Sequence, residues 1–458
     1  MKIVILGAGQ VGKSVAATLA SEHNDITVVD QDTKRLESLQ GRYDLRTVHG
    51  YASYPDILAQ SGIEDADMLI AVTQSDEINM TACQIAWNQF RTPRKIARVR
   101  APEYLANPEL FGSDAIPIDV LISPEQLVTD SIISLIQNPG ALQVVDFAKG
   151  RARMVGVKAY HGGPLVGHEL RELNEHLPGV HEARVAAIYR DDRSFSPNGS
   201  TVIEADDELF FIAASENIKA VVGELRRTEK AVRRLIIAGG GNIGRRLAIA
   251  LQKDYNVKLI ERDQNRARMV AEELTDTIVL SGDISDEELL LEENIENTDA
   301  FVAVTNDEEA NVLSSMLAKQ LGARKVMALI NRASYVDLVQ SGPIDIAISP
   351  QQATIGSLLT YIRRGDVAVV HALRHGAAEA IEAVAHGDKN SSKVVGRQVD
   401  EIKLPEGANI GAIVRGDDVL MAHHDTVIEA NDHVIIFLMD KGQVKEVERL
   451  FQVGIGFI

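Results

Sequence analysis

The sequence states one pattern twice. Met1-Lys-Ile-Val-Ile-Leu-Gly-Ala-Gly-Gln-Val-Gly12 returns as Leu235-Ile-Ile-Ala-Gly-Gly-Gly-Asn-Ile-Gly244, so that Gly7 is answered by Gly239, 232 positions later. Each copy is an apolar strand running into G-x-G-x-x-G. The first glycine of that spacing permits a tight turn, the second leaves backbone room for a pyrophosphate, and the third lets helix and strand pack closely. The amides that open the following helix then face the phosphates. A lone glycine pattern is weak evidence; two in register with their surroundings are much stronger.

The surroundings do keep register. Ile26-Thr-Val-Val-Asp30 answers Val257-Lys-Leu-Ile-Glu261, Val48-His-Gly50 answers Leu280-Ser-Gly282, Ala71-Val-Thr73 answers Ala303-Val-Thr305, and Ile122-Ser-Pro124 answers Ile348-Ser-Pro350. Helical spacing separates these apolar runs, as in Val15 and Leu19 or Leu247 and Leu251. Alternating short strands and helices predict a doubly wound parallel sheet of the Rossmann kind in each copy. A second unit follows each: Val185–Arg190 and Ala412–Arg415 precede Thr-Val-Ile-Glu-Ala-x-Asp at 201–207 and 426–432, then apolar strands at 208–212 and 433–437. These runs predict a small α+β module rich in strand. The expected boundaries are 1–137, 138–228, 229–364 and 365–458, in the order N-C-N-C. A length of 458 residues allows that many domains.

Each N unit carries a candidate nucleotide site. The first comprises Gly7, Ala8, Gly9, Gln10, Val11 and Gly12, then Asp30, Thr73, Gln74, Arg98 and Arg100; the second comprises Gly239, Gly240, Gly241, Asn242, Ile243 and Gly244, then Glu261, Asp283, Thr305 and Asn306. Asp30 and Glu261 end the second strand at the distance expected of a ribose-binding acid. An acid there favours a free 2′-hydroxyl, hence NAD(H) over NADP, and ATP or ADP equally satisfies it. The bland alternative is an exposed acid ending a strand. Thr73 and Thr305 open loops at the carboxyl end of the fourth strand, where they can reach a nucleotide or simply cap a helix. Arg98 and Arg100 can clamp a terminal phosphate. The stretch 329–332 offers only Arg332 in answer, so the halves are expected to differ in ligand.

Gly7 to Ser14 also satisfies G-x-x-x-x-G-K-[ST], the phosphate loop of NTPases. The second copy loses the lysine and hydroxyl, which favours the dinucleotide reading. The pairs His371/His375 and His423/His424 lack supporting Cys or acidic ligands for zinc, leaving surface or strand histidines as the alternative. No proton donor or acceptor set that a dehydrogenase needs recurs in the two copies. Binding without chemistry is therefore expected. An NAD-dependent oxidoreductase and a nucleotide-sensing transcription regulator are the competing classes; the latter needs a basic recognition helix.

A net charge of −19 and a pI near 5.1 argue against nucleic acid as the main partner. The single cysteine, Cys83, sits in an apolar helical stretch, which excludes a disulfide within the chain and suits a reducing compartment. No apolar run approaches the ~18 residues of a membrane span. A cytoplasmic protein is expected, free to dock on an integral membrane partner. The charged stretch 219–234 reads as a helix end and linker.

Two glycine loops, an acid ending each second strand, the paired V-T-x-x-x-E-x-N loops and the Arg followed by T-V-I-E-A-x-D closely resemble the TrkA family, the regulatory subunits of bacterial Trk potassium-uptake systems. These are built of tandem RCK (regulator of potassium conductance) units, and the resemblance covers essentially the whole chain. It implies a homo-oligomeric ring, peripheral on the inner face of the cell inner membrane, attached to a TrkH/TrkG-like potassium transporter. It further implies that NAD(H) or ATP/ADP gates ion flow by changing ring shape. Carried across by residue, it implicates Gly7 to Val11, Asp30, Thr73, Gln74 and Arg98 in one site. In the other it implicates Gly239 to Ile243 and Glu261, with Asn306. Tyr51 stands where the family often has an acid after the third strand, a role Asp283 retains in the second copy.

Overall fold

A computed structural model describes the chain apart from residues 22–23, 113, 164–165, 173–182, 191–192, 226–230, 341, 363–366, 375–377 and 453–458. His375, the middle of the 219–234 linker and the boundaries expected at 228/229 and 364/365 therefore lie in or against stretches outside the described residues.

The first repeat opens with β1 (Lys2–Leu6), β2 (Asp25–Asp30), β3 (Arg46–His49), β4 (Met68–Ala71), β5 (Arg94–Arg98) and β6 (Val120–Ile122). They form one sheet in the order 3-2-1-4-5-6, with the register running Lys2 to Asp25 and Ile3 to Met68 on the two sides of β1. All pairings are parallel. The reason is the continuous apolar character of β1 and β4, which are buried on both faces apart from Lys2. Such strands need helices on either side. Each fully buried Ile, Leu or Val contributes about 1.5–3 kcal/mol. The strand order is the dinucleotide-binding one, and β1 next to β4 is the point where successive connections diverge to opposite faces.

The small module that follows is an antiparallel sheet of β7 (Ala141–Phe147), β8 (Ala152–Lys158), β9 (Ala183–Arg190), β10 (Arg193–Phe195) and β11 (Glu208–Ala214) in the order 10-9-11-8-7. The second repeat reproduces both sheets. Strands β12 (Arg234–Ala238), β13 (Asn256–Glu261), β14 (Thr277–Ser281), β15 (Ala300–Ala303), β16 (Lys325–Leu329) and β17 (Ile346–Ile348) take the order 14-13-12-15-16-17. Strands β18 (Val367–Leu373), β19 (Ala378–Val384), β20 (Ala408–Arg415), β21 (Asp418–Met421) and β22 (His433–Leu438) take the order 18-19-22-20-21.

The T-V-I-E-A-x-D motif is explained by one ion cluster built twice. Asp207 is 1 % exposed and receives Arg190 Nε and Nη2 at 2.7 Å each; Asp432 is fully buried and receives Arg415 Nε at 2.9 Å and Nη2 at 2.8 Å. The same aspartates accept the amides of Glu204 and Glu429 at 2.8 Å, closing the turn. Each arginine also pairs with that glutamate. A buried carboxylate is tolerable only when its lone pairs are filled in this way.

The two small sheets share a core that includes Phe147, Met154, Phe210, Leu373, Ile435 and Phe437. Polar groups stitch it. The Ala148 amide donates to buried Glu382 at 2.8 Å, His433 Nδ1 lies 2.6 Å from the other Glu382 oxygen, and Arg374 Nε donates to Glu208 at 3.0 Å.

By compactness the chain forms two units, one of residues 1–127 with 350–361 and the other of residues 128–349 with 362–458. Gln351 bonds Ser14 and Arg94 bonds the Tyr361 carbonyl, both within the first unit. In the second, Val128, Ile132, Leu135 and Ile136 share a core with Leu235, Ile237 and Leu247.

Candidate functional site

The three glycines behave as their spacing predicts, identically in both copies. Gly7 and Gly239 have φ of +103° and +114°, a region L side chains rarely enter. A Cβ on Gly12 or Gly244 would stand 1.8 Å from the carbonyl oxygen of Gly7 or Gly239, whereas one on Gly9 or Gly241 would meet nothing within 4 Å. The turn is thus tight at its start, closed at its end and open in the middle. Helices Gln10–Ser21 and Asn242–Leu251 begin there, and by helix geometry their first amides have no helical acceptor. An anion is the natural occupant of that opening.

The acid of β2 stands across this loop and holds it. Asp30 Oδ2 accepts the Ala8 amide at 2.5 Å and Oδ1 accepts the Asp32 amide at 2.8 Å. Glu261 does the same with the Gly240 and Asp263 amides at 2.8 Å, with Arg266 Nη1 3.4 Å from Oε2. These acids are therefore not idle surface carboxylates. Gln10 and Asn242 are exposed at the loop rim, Val11 is half-buried and Ile243 buried. Ser14 Oγ is taken by Gln351. That engagement, together with the 3-2-1-4-5-6 strand order, sides against the NTPase reading of Lys13 and Ser14.

Thr73 and Thr305 face inward to the asparagine that ends each V-T-x-x-x-E-x-N loop. Thr73 Oγ1 donates to Asn79 Oδ1 at 2.7 Å and Thr305 Oγ1 to Asn311 Oδ1 at 2.6 Å; the two asparagines are fully buried and donate to the carbonyls of Arg98 and Leu329. Asp76 and Glu308 make a second staple. Asp76 accepts the amides of Arg100 and Ala101 at 2.8 Å, Glu308 those of Asn331 and Arg332 at 3.2 Å. The only sequence signal for these four was their recurrence at one register. They fix the loops after β4 and β5 to each other.

These equivalences refine one expectation. Leu329 answers Arg98, Asn331 answers Arg100, and Arg332 answers Ala101, so the second site has no arginine at either phosphate-clamp position. In the first site the two arginines differ. Arg100 is bound to Asp76 at 3.4 Å and to the Gln74 carbonyl. Arg98 is mostly buried, 3.8 Å from Glu125, and its Nε has no hydrogen-bond partner. Burial pushes its pKa down, with Glu125 opposing that fall. Asp283 follows β14 and accepts the Ser285 amide at 2.9 Å; Asn306 lies in the loop after β15. Among the described residues no three His, Cys, Asp or Glu side chains gather as a metal site, His371 instead meeting the Asp146 carbonyl at 3.0 Å. Among the described residues no helix is long and apolar enough to cross a membrane.

Fold and loops together define a protein with two Rossmann-type domains, each paired with a small β-rich module. The TrkA-N domain family matches residues 3–124 and 235–350, and the TrkA-C domain family matches 154–225 and 388–452. Over 457 residues, all of both chains, the sequence is 61 % identical to the Trk system potassium uptake protein TrkA of Halomonas elongata. The chain belongs to the TrkA family of potassium-uptake proteins. Two solved structures share its fold. The crystal structure of the GsuK RCK domain has a TM-score of 0.62 at 18 % identity, covering 98 % of this chain and 94 % of that one. The GsuK channel bound to NAD has a TM-score of 0.61 at 17 % identity, covering 98 % and 78 %.

Proposed function

We propose that this chain is a non-catalytic sensor subunit whose two N-type domains bind adenine nucleotides and thereby gate a membrane potassium transporter of the TrkH/TrkG kind. The observation that carries the reading is the doubled cradle, an open glycine loop facing a carboxylate, in a chain of a potassium-uptake family. NAD(H) and ATP or ADP are the ligands, since the acid at the end of β2 or β13 suits a free ribose 2′-hydroxyl. The likeness in fold to a channel bound to NAD supports the first of these. The sites divide the work: the first holds Arg98 for a terminal phosphate, the second has Leu329 there and takes a ligand without that demand.

Within this reading the functional residues are those of the two glycine loops with Asp30, Thr73, Gln74, Arg98 and Arg100, and Glu261, Asp283, Thr305 and Asn306. The domains divide near 137/138, 228/229 and 364/365. Copies of the chain assemble as a ring on the inner face of the membrane. A ligand shifts such a ring only by binding one shape better than another; a coupling of about 1–3 kcal/mol changes affinity roughly 5- to 150-fold.

The test is calorimetric titration of the full chain with NAD, NADH, ATP and ADP, then conductance of the reconstituted transporter. Asp30→Lys is expected to weaken adenylate binding, and Arg98→Ala to erase any difference between ATP and ADP. Identical conductance with ATP and ADP, or turnover of a nucleotide, overturns the scheme.

A further inference from the structure

The two cradles differ most where neither glycines nor ribose acid lie. With the phosphate loop after β1 and the ribose acid ending β2, the sheet order places β3 next outward, so a bound nucleobase lies over its carboxyl end. The Gly50 amide donates to the Asp30 carbonyl at 3.0 Å, so the chain leaves the end of β3, the neighbour of β2, at Tyr51, next in sequence to that bond. Tyr51 and Tyr54 stack there, ring centroids 4.9 Å apart and planes inclined by 25°, each 51 % exposed.

In the second copy the same two register positions are Asp283 and Asp286. Asp286 caps the helix Glu287–Glu292 by accepting the Glu288 and Leu289 amides at 3.0 and 3.4 Å. Tyr54, capping Pro55–Gln60, makes no such bond. The first copy thus lacks the helix cap of the second and exposes two large rings at one edge of its cradle. Both changes work against stability and solubility, and both leave aromatic faces where a base would sit.

We propose that Tyr51 and Tyr54 are the base-recognising wall of the first site, gripping a nucleobase by its flat face. This rests on the nucleotide-sensing reading above. Stacking is indifferent to the substituents of a purine. A carboxylate accepts from the exocyclic amine of adenine and repels the carbonyl that guanine presents in its place. The first site therefore accepts purine nucleoside triphosphates generally, where an acid at position 51 would select adenine.

The experiment titrates full-length protein carrying Glu261→Lys, which silences the second site, with ATP and GTP. Affinities for the two within about threefold of each other are expected, falling together by about tenfold in Tyr51→Ala. Tyr51→Phe keeps both, because the ring face rather than the hydroxyl is used, and Tyr51→Asp restores a preference for ATP. The wall is overturned by unchanged ATP and GTP affinity in Tyr51→Ala, or by a strong ATP preference before any change at Tyr51. Asp30→Lys on the same background separates the failures. If it abolishes binding while Tyr51→Ala does nothing, only the wall falls; if neither matters, or nothing binds, the site itself is wrong.

Discussion

Alanine at Gly9 and at Gly12 should have opposite consequences although the two glycines are three residues apart. At Gly12 an added Cβ would lie 1.8 Å from Gly7 O and 2.9 Å from Gly7 C, the first 1.2 Å inside the 3.0 Å that real Cβ atoms respect. Both obstructing atoms are backbone, so no rotamer relieves the clash. Overpacking costs about 1–3 kcal/mol when side chains can yield; here about 3 kcal/mol or more is expected, localised to the first N-type domain. At Gly9 the Cβ meets nothing within 4 Å, and stability should fall by under about 1 kcal/mol, the size of a capping change. That methyl instead occupies the opening that the proposed function assigns to phosphate. A displaced phosphate should lose about tenfold in affinity, or 1.4 kcal/mol. Hydrogen exchange along β1 and β2 reads the first effect and calorimetry with ATP and NADH the second. Unaltered adenylate affinity in Gly9→Ala, with the fold intact, would refute the assignment of the opening to phosphate.

Three further outcomes follow from groups taken wholly or partly out of water. Asp432→Asn leaves Arg415 without its bidentate partner and should destabilise the second small module; breaking a buried pair costs about 3–5 kcal/mol, and since Arg415 is about a third exposed the low end or less is expected, read from the denaturant midpoint. Cys83 is fully buried, and desolvation pushes its thiol up to about 12 from an ordinary 9.0, leaving about a thousandfold less thiolate at pH 8. Iodoacetamide should label it only after unfolding, and fast labelling of native protein would contradict that burial. Desolvation lowers the pKa of His371, whose ring stands edge-on to Phe147 at 5.1 Å, below the ordinary 6.5. Its neutral form is favoured in the fold, so the associated stability is full above about pH 6.5 and is lost as pH falls through the lowered value. Urea midpoints at pH 5.5 and 7.5 should differ less in His371→Phe; an equal difference would dismiss His371 as the source.

What could be read from the sequence were the features that recur along the chain. The glycine loops, the acids at Asp30 and Glu261 and both sheet types announce themselves through spacing and apolar runs. The staples could not be read that way, because Asn79 and Asp76 act on backbone groups of residues about twenty positions away, and backbone partners leave no mark on composition. That Arg332 answers Ala101 rather than either arginine was hidden for the same reason, since only the Asn311 and Glu308 bonds reveal which loop residues correspond. Nor does periodicity disclose that Phe210 and Phe437, more than two hundred residues apart, belong to one core. The Arg190 and Arg415 clusters stood in plain view as a motif, and only geometry gave them a structural cause.

The segment 350–361 completes the unit that begins at Met1, while residues 128–137 belong to the other. The duplication visible in the sequence is therefore not a pair of detachable halves. A fragment ending at the midpoint would lack the helix that finishes its opening domain, and the complementary fragment would lack the one lent in return. Such an exchange binds the fates of the repeats: each can drift in its loop residues, as Arg98 against Leu329 shows, but neither can be lost without taking the other's architecture with it.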